Sequence, residues 1–233
     1  STTSRILGQP STASGDARTG SHVRVDNSIG YHLPGNLGGL YGQAMIAAGE
    51  GTVGNKYQGA RLGYAAGPIN FAVAFGQTDL VTDKLKAFNV GLSFNAGFAT
   101  IYTAYHDYKI GGGEPTSATS YGNPANRKLK NYLVGAVAPM GAGAFKFSFA
   151  KTKGDLNVSS AATAATSKDA SATQIAIGYV HDLSKRTSLY THYSTIKNKK
   201  GAHFYASGSG PAYSSTTADF TSSGYEFGIK HTF

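Results

Sequence analysis

The sequence predicts an all-β chain that crosses a membrane as an antiparallel barrel. Three observations carry that prediction: a closing strand with two unlike faces, repetition of its pattern along the chain, and connections that swing between short and long. The closing strand is Tyr225-Glu-Phe-Gly-Ile-Lys-His-Thr-Phe233. Tyr225, Phe227, Ile229 and Phe233 share one face, and Glu226, Gly228, Lys230 and Thr232 share the other, because strand side chains alternate. An apolar face turned to hydrocarbon and a small or polar face turned to a wet interior suit a closed barrel in lipid.

Composition agrees with strands that are apolar on one side only. The 233 residues include 31 glycines, 15 tyrosines and 12 phenylalanines, with no cysteine and no tryptophan. Only 14% are charged, against about 25% in an ordinary soluble domain. Uninterrupted apolar stretches last a few residues, far short of the ~20 that a membrane helix needs, which excludes helical spans. Without cysteine there is no disulfide or thiolate chemistry. The formal charge of +9 fits nucleic acid, anionic lipid or an anion-attracting cavity. The placement of the basic residues decides among them.

Alternation marks eleven strands in order: 22–33, 39–48, 55–65, 68–76, 85–94, 98–108, 129–139, 144–153, 172–181, 186–196 and 223–233. The clearest are Ile69-Asn-Phe-Ala-Val-Ala-Phe75, Phe88-Asn-Val-Gly-Leu-Ser-Phe94 and Phe145-Lys-Phe-Ser-Phe149, in which every second residue is large and apolar. Strand 55–65 alternates poorly. On 98–108, 129–139 and 186–196 either parity leaves apolar residues on the inner side. Lengths of roughly 9–11 residues match tilted membrane strands rather than the five or six usual in soluble sheets.

After the first pair, short and long connections alternate. Outer-membrane barrels do this because turns on one side of the membrane are tight and loops on the other are long. A soluble antiparallel sandwich has no reason for that rhythm. The long connection before the last strand therefore faces outward and the C-terminus faces the periplasm. Counting back, the first strand descends too, so residues 1–21 lie outside or within the channel. Complete bacterial barrels have an even strand number. Eleven strands thus predict one barrel domain over 1–233 that is incomplete at its N-terminus and lacks an odd number of strands, with a miscounted strand as the competing explanation.

Several stretches resemble the general porins of β-proteobacteria. They are Arg24-Val-Asp-Asn-Ser-Ile-Gly-Tyr-His-Leu-Pro34, Gly38-Gly-Leu-Tyr-Gly-Gln-Ala44, Ala47-Ala-Gly-Glu-Gly51, Gly178-Tyr-Val-His-Asp-Leu-Ser-Lys-Arg-Thr187 and Gly228-Ile-Lys-His-Thr-Phe233. The resemblance runs from about Arg24 to Phe233. It implies a sixteen-stranded, homotrimeric barrel of which this chain supplies the last eleven strands. Residues 1–21 would then end the loop that folds into the pore, and 22–233 would form strands and loops. The family's opening strands and most of that loop are absent from the sequence. The final face of Tyr225, Phe227, Ile229 and Phe233 also resembles the C-terminal signal read by the barrel assembly machinery.

A porin performs no chemistry; wall charge and radius select its solutes. Parity places Arg24, Asp26 and Arg61 on the inner side as pore-lining residues, and Lys146, Glu226 and Lys230 nearer the periplasmic mouth as vestibule residues. Four basic groups against two acidic ones predict an anion preference. By the resemblance, an arginine at the position of Arg24 belongs to the basic cluster of the pore eyelet. A structural arginine paired with a loop carboxylate is the plain alternative. Lys84, Lys86, Lys128, Lys151, Lys153, Lys199 and Lys200 fall at outer strand ends or loops, where lipopolysaccharide phosphates or solvent are their natural contacts. Tyr31, Tyr41, Tyr64, Phe98, Tyr108, Tyr179 and Phe233 suit interfacial girdles. Basic residues interleaved with aromatics would mark a nucleic-acid surface, but here they are scattered, which argues against nucleic acid.

One pair tests an enzymatic reading. His192 and Ser194 share a strand face, as in outer-membrane phospholipases, yet the flanking Tyr190-Thr191 and Thr195-Ile196 lack that family's Asn and Gly. Neither a carboxylate cluster nor a phosphate loop appears, and the remaining histidines are scattered, so no metal or cofactor is expected. The sequence thus predicts a non-enzymatic outer-membrane channel for passive diffusion of small hydrophilic solutes, anions favoured, in contact with outer-membrane lipid. A complete twelve-stranded specific channel, or a phospholipase-like enzyme, is the alternative.

Overall fold

In a computed structural model the described residues are 27–49, 56–79, 84–110, 127–160, 163–202, 204–206 and 219–233. They form β1 (Ser28–His32), β2 (Leu40–Ala47), β3 (Tyr57–Ala66), β4 (Ile69–Asp79), β5 (Lys84–Asn95), β6 (Thr100–Ile110), β7 (Arg127–Met140), β8 (Gly143–Ser160), β9 (Thr163–Asp182), β10 (Thr187–Lys199) and β11 (Phe220–His231). All eleven make one sheet in strictly sequential order, each antiparallel to the next. Strand number and order are those read from the alternation.

One end of the sheet is closed by turns whose residues dictate their shape. Gly67 (φ 55°) and Gly141 (φ 56°) sit in two-residue turns, a backbone region that costs glycine nothing. In the 96–99 turn the Gly97 N–H donates to Asn95 Oδ1 at 2.9 Å. In the 183–186 turn Ser184 Oγ accepts from the N–H groups of Arg186 and Thr187 at 3.2 and 3.1 Å.

The opposite end departs from the expected rhythm. The connection between β8 and β9 is two residues, 161–162, not a loop over 154–171. Pairing resumes past an irregularity at Gly154/Leu156 and continues to Ser160 opposite Thr163. Ser, Thr, Ala and Asp in this stretch look like loop residues because no face needs to be apolar beyond the membrane. The backbone ladder pairs Leu156 with Ser167 and onward to Ser160 with Thr163. β4 and β5 likewise run on until four residues, 80–83, separate them.

Directly opposed residues of an antiparallel ladder share a face, so register carries the face assignment from strand to strand. One inner row reads Gln43, Arg61, Ala74, Asn89, His106, Asn131, Thr152, Ala172 and Asn198. The three doubtful strands are thereby settled. Tyr102, Leu133 and Ile196 point inward, while Ile101, Tyr132 and Tyr193 point outward. The outer face is a band of exposed apolar residues that includes Phe71, Phe88, Val134, Phe147, Ile177 and Leu189. Tyr225, Phe227 and Ile229 lie on this face with 87, 83 and 64% exposure, and Phe233 is fully exposed. Tyr41 and Tyr108 depart from the girdle reading, because register turns both inward.

Buried residues concentrate on the inner face of β7–β10. Ala150, Ala170, Ala172, Ile196, Ala202 and Ala206 form one apolar cluster, with Leu133 and Phe204 packed against it. Two buried hydrogen bonds stand beside it: Thr152 Oγ1 to Asn131 Oδ1, and Gln174 Nε2 to Ser194 Oγ, each 2.7 Å.

Candidate functional site

The inner face is the candidate site, because the small and polar residues and most of its distinctive contacts gather there. Arg61, Lys146, Glu226 and Lys230 all lie on it. Arg24 and Asp26 lie outside the described residues. Register adds an inner acidic residue that parity reading missed, Asp182, opposite Ser188, whose hydroxyl donates to its Oδ1 at 2.7 Å.

On β2–β5 the wall is lined by small residues and tyrosines lying flat. Tyr41 covers Gly63, where a β-carbon would collide with its ring, and its hydroxyl donates to Asn70 Oδ1 at 2.6 Å. The Arg61 guanidinium stands 5.5 Å from the Tyr41 ring centre, and its Nη2 donates to Gln43 Oε1 at 3.5 Å. The arginine is therefore braced by a ring face and an amide rather than by a carboxylate. A cavity of about 470 Å³ opens beside it, reaching Met45, Tyr57 and Asn89. An arginine held this way keeps its charge exposed on the inner face.

Toward the turn end side chains of β10 and β11 meet in a second group, with Lys146 of β8 in the same row. The row runs Val137, Lys146, Gly178, His192 and Glu226 across five strands. His192 Nε2 lies 3.0 Å from Glu226 Oε2, and the Tyr190 hydroxyl donates to Glu226 Oε1 at 3.0 Å. Glu226 is thus held by partners on both oxygens. Lys146 and Lys230, like Arg61, have no described carboxylate within ion-pair distance. Among the described residues the inner face carries Arg61, Lys146 and Lys230 against Asp182 and Glu226. Ser194, the candidate partner of His192 in a catalytic pair, accepts from Gln174, and the histidine turns to Glu226. No described histidine, cysteine or carboxylate cluster could hold a metal.

The connection after β10 turns onto the inner face. The Asn198 side chain bonds the Phe204 backbone twice, Nδ2 to its carbonyl and Oδ1 to its N–H, each 2.9 Å. The Ala206 N–H donates to Ser222 Oγ at 3.1 Å. Ala202 and Ala206 then cover Ile196, which is fully buried. Sequence reading placed this segment in an outward loop. Only the Asn in place of an apolar residue at 198 hints at the clasp, since a lone asparagine side chain can mimic a strand partner.

A family model described as Gram-negative porin matches residues 3–201. Outer membrane porin protein 32 of Delftia acidovorans is 28% identical over 243 residues, an alignment covering 98% of this chain and 62% of that protein. OmpT, an outer membrane protein of Vibrio cholerae, superposes with a TM-score of 0.60 at 13% identity, over 88% of this chain and 64% of that one. A trimer form of OmpT gives 0.59 at 13%, over 88% and 64%. A porin refined at 1.8 Å gives 0.58 at 13%, over 88% and 60%. At these identities the structural likeness is one of fold alone. The chain spans 62% of the length of the relative from Delftia.

Proposed function

The chain belongs to the family of Gram-negative porins, and on that premise we propose that the complete protein is an outer-membrane channel that passes small hydrophilic solutes by diffusion and prefers anions. The observation that carries the reading is the two-faced sheet. Its outer face is apolar and exposed, and its inner face presents Arg61, Lys146 and Lys230 without described carboxylate partners, whereas Glu226 is engaged by His192 and Tyr190. Fixed cations beside low-dielectric walls concentrate anions. Arg61 supplies the pore-lining charge among the described residues. Lys146, Glu226 and Lys230 tune the vestibule toward the tight turns. Arg24 and Asp26 join the constriction, which residues 1–21 help to form.

Sidedness follows from the ends of the sheet. Tight turns face the periplasm, so the C-terminus is periplasmic. At the far end an outward band of Lys86, Lys109, Lys128, Lys130, Lys151, Lys153, Lys197 and Lys199 lies on β5–β10. It stands just beyond the outer-face aromatics Phe88, Tyr105 and Tyr132, whose rings contact one another. Lysines outside an aromatic girdle suit the phosphates of lipopolysaccharide. A homotrimer is supported by the trimer form of the structurally similar OmpT. The exposed edge of Tyr225, Phe227, Ile229 and Phe233 is the surface the barrel assembly machinery would read.

The test is reconstitution of the complete protein in planar bilayers. Stepwise conductance with a reversal potential on the anion side supports the proposal. Insertion without conductance overturns the channel, and a cation-side reversal potential overturns the preference.

A further inference from the structure

We propose that the inner wall holds a binding subsite for a small carboxylate with an apolar or aromatic body, seated between Lys146 and His192 above Gly178. The proposal rests on reading the inner face as a channel wall. Lys146 on β8 and His192 on β10 flank Gly178 in one cross-strand row. Two inter-strand steps separate their main chains by about 10 Å. Gly178 puts no side chain into that gap, and the space is tight at its floor. A β-carbon there would come within 3.1 Å of His192 Cβ and of the Thr191 carbonyl oxygen. The result is a bare floor between an ammonium and an imidazole.

Both walls are prepared. Lys146 is exposed, and no described carboxylate neutralises it. His192 is fixed by Glu226 at Nε2 (3.0 Å) and by Tyr190, whose ring stacks on it with centroids 6.0 Å apart and 17° between planes. Tyr190 in turn lies against Gly228, where a β-carbon would meet its ring at 2.6 Å. No described residue bonds Nδ1 of His192, so that edge is left for a solute. With Nε2 engaged by Glu226, the His192 ring is held edge-on to the gap and lines it for the solute's apolar body, while Lys146 donates to the carboxylate from the other side. Around this pair a cavity of about 440 Å³ is also lined by Tyr102, Leu133, Val137 and Val180, a size and mixed lining typical of small-molecule sites. Chloride or phosphate would use Lys146 and leave the apolar lining wet. A carboxylate carrying a ring uses both.

Benzoate is the probe and acetate the comparison, added to the complete protein in planar bilayers while potassium chloride carries the current. Saturable block by benzoate at concentrations where acetate has little effect is the expected result. Lys146→Gln should raise the half-blocking concentration roughly tenfold, the loss of one charge-assisted contact. Lys230→Gln removes an equal charge from the same face but does not line this cavity, and should raise that concentration less than about two-fold. Chloride current without benzoate block, or equal weakening by Lys146→Gln and Lys230→Gln, overturns the subsite and leaves the channel standing. Absence of any current overturns the channel reading itself.

Discussion

On β8, Phe145, Phe147 and Phe149 point outward while Lys146, Ser148 and Ala150 point inward. The outer series stays apolar along the strand: Phe145 and Phe147 are 48 and 44% exposed, and Phe149 is half-buried. The inner series is graded, from an exposed Lys146 to Ala150 at 1%. A lipid phase is a uniform apolar solvent and asks the same of every residue it touches. The inner face has no such uniform solvent. It is shaped by the protein's own segments, here the turn of 202–206 that Asn198 clasps.

The sharpest way to break that contrast is to place one charge on either side. Phe147→Arg should cost roughly 2–4 kcal/mol of folding free energy, the penalty of a cation in the lipid-facing band. Ser148→Arg, one residue away, should fold nearly as well as the wild type. Urea titrations of folding into lipid vesicles measure both, and equal losses would erase the two-solvent reading of β8.

Next comes the graded end of the inner face. Asn198→Ala removes both side-chain bonds to Phe204 and should cost about 1–3 kcal/mol, since it leaves two backbone groups to find new partners. Limited proteolysis should then cut near 200–206 faster than in the wild type. An unchanged cleavage rate would mean that the apolar contacts of Ala202 and Ala206 suffice.

Charge on the open part of the wall gives a smaller signal. Arg61→Gln should shift the reversal potential in a salt gradient toward cations, by a roughly two-fold change in permeability ratio. No shift would take Arg61 out of the solute path. The least effect is expected from Tyr41→Phe, which deletes the bond to Asn70 but keeps the ring over Gly63. A loss of about 0.5–1.5 kcal/mol in the same urea titrations is the range for one such bond.

The period-two pattern carries so much of this fold because each strand reports its own faces without knowledge of its neighbours. Phe88 to Phe94 is readable in isolation. What a single strand cannot report is which residue stands opposite, and a slip of one position inverts every face. Glu226 could be placed inward from its own strand. Its partnership with His192, 34 positions back in the chain, depends on the β10–β11 register. The clasp of Asn198 on Phe204 was hidden for a different reason. It joins a side chain to a main chain within a Gly-, Ala- and Ser-rich stretch that has no period to read. The far ends of β8 and β9 were missed because outside the membrane nothing imposes alternation on a ladder.

Those two strands have 18 and 20 residues. At ~3.3 Å per residue each is about 60 Å long, and a tilt near 45° leaves about 40 Å along the membrane normal against an apolar band about 25 Å tall. The surplus rises from the far end of the sheet as a paired ribbon. In the proposed orientation, anything too large to enter the proposed channel would touch that ribbon before it reached the inner wall, so sequence change there would alter recognition from outside and leave the wall's residues untouched.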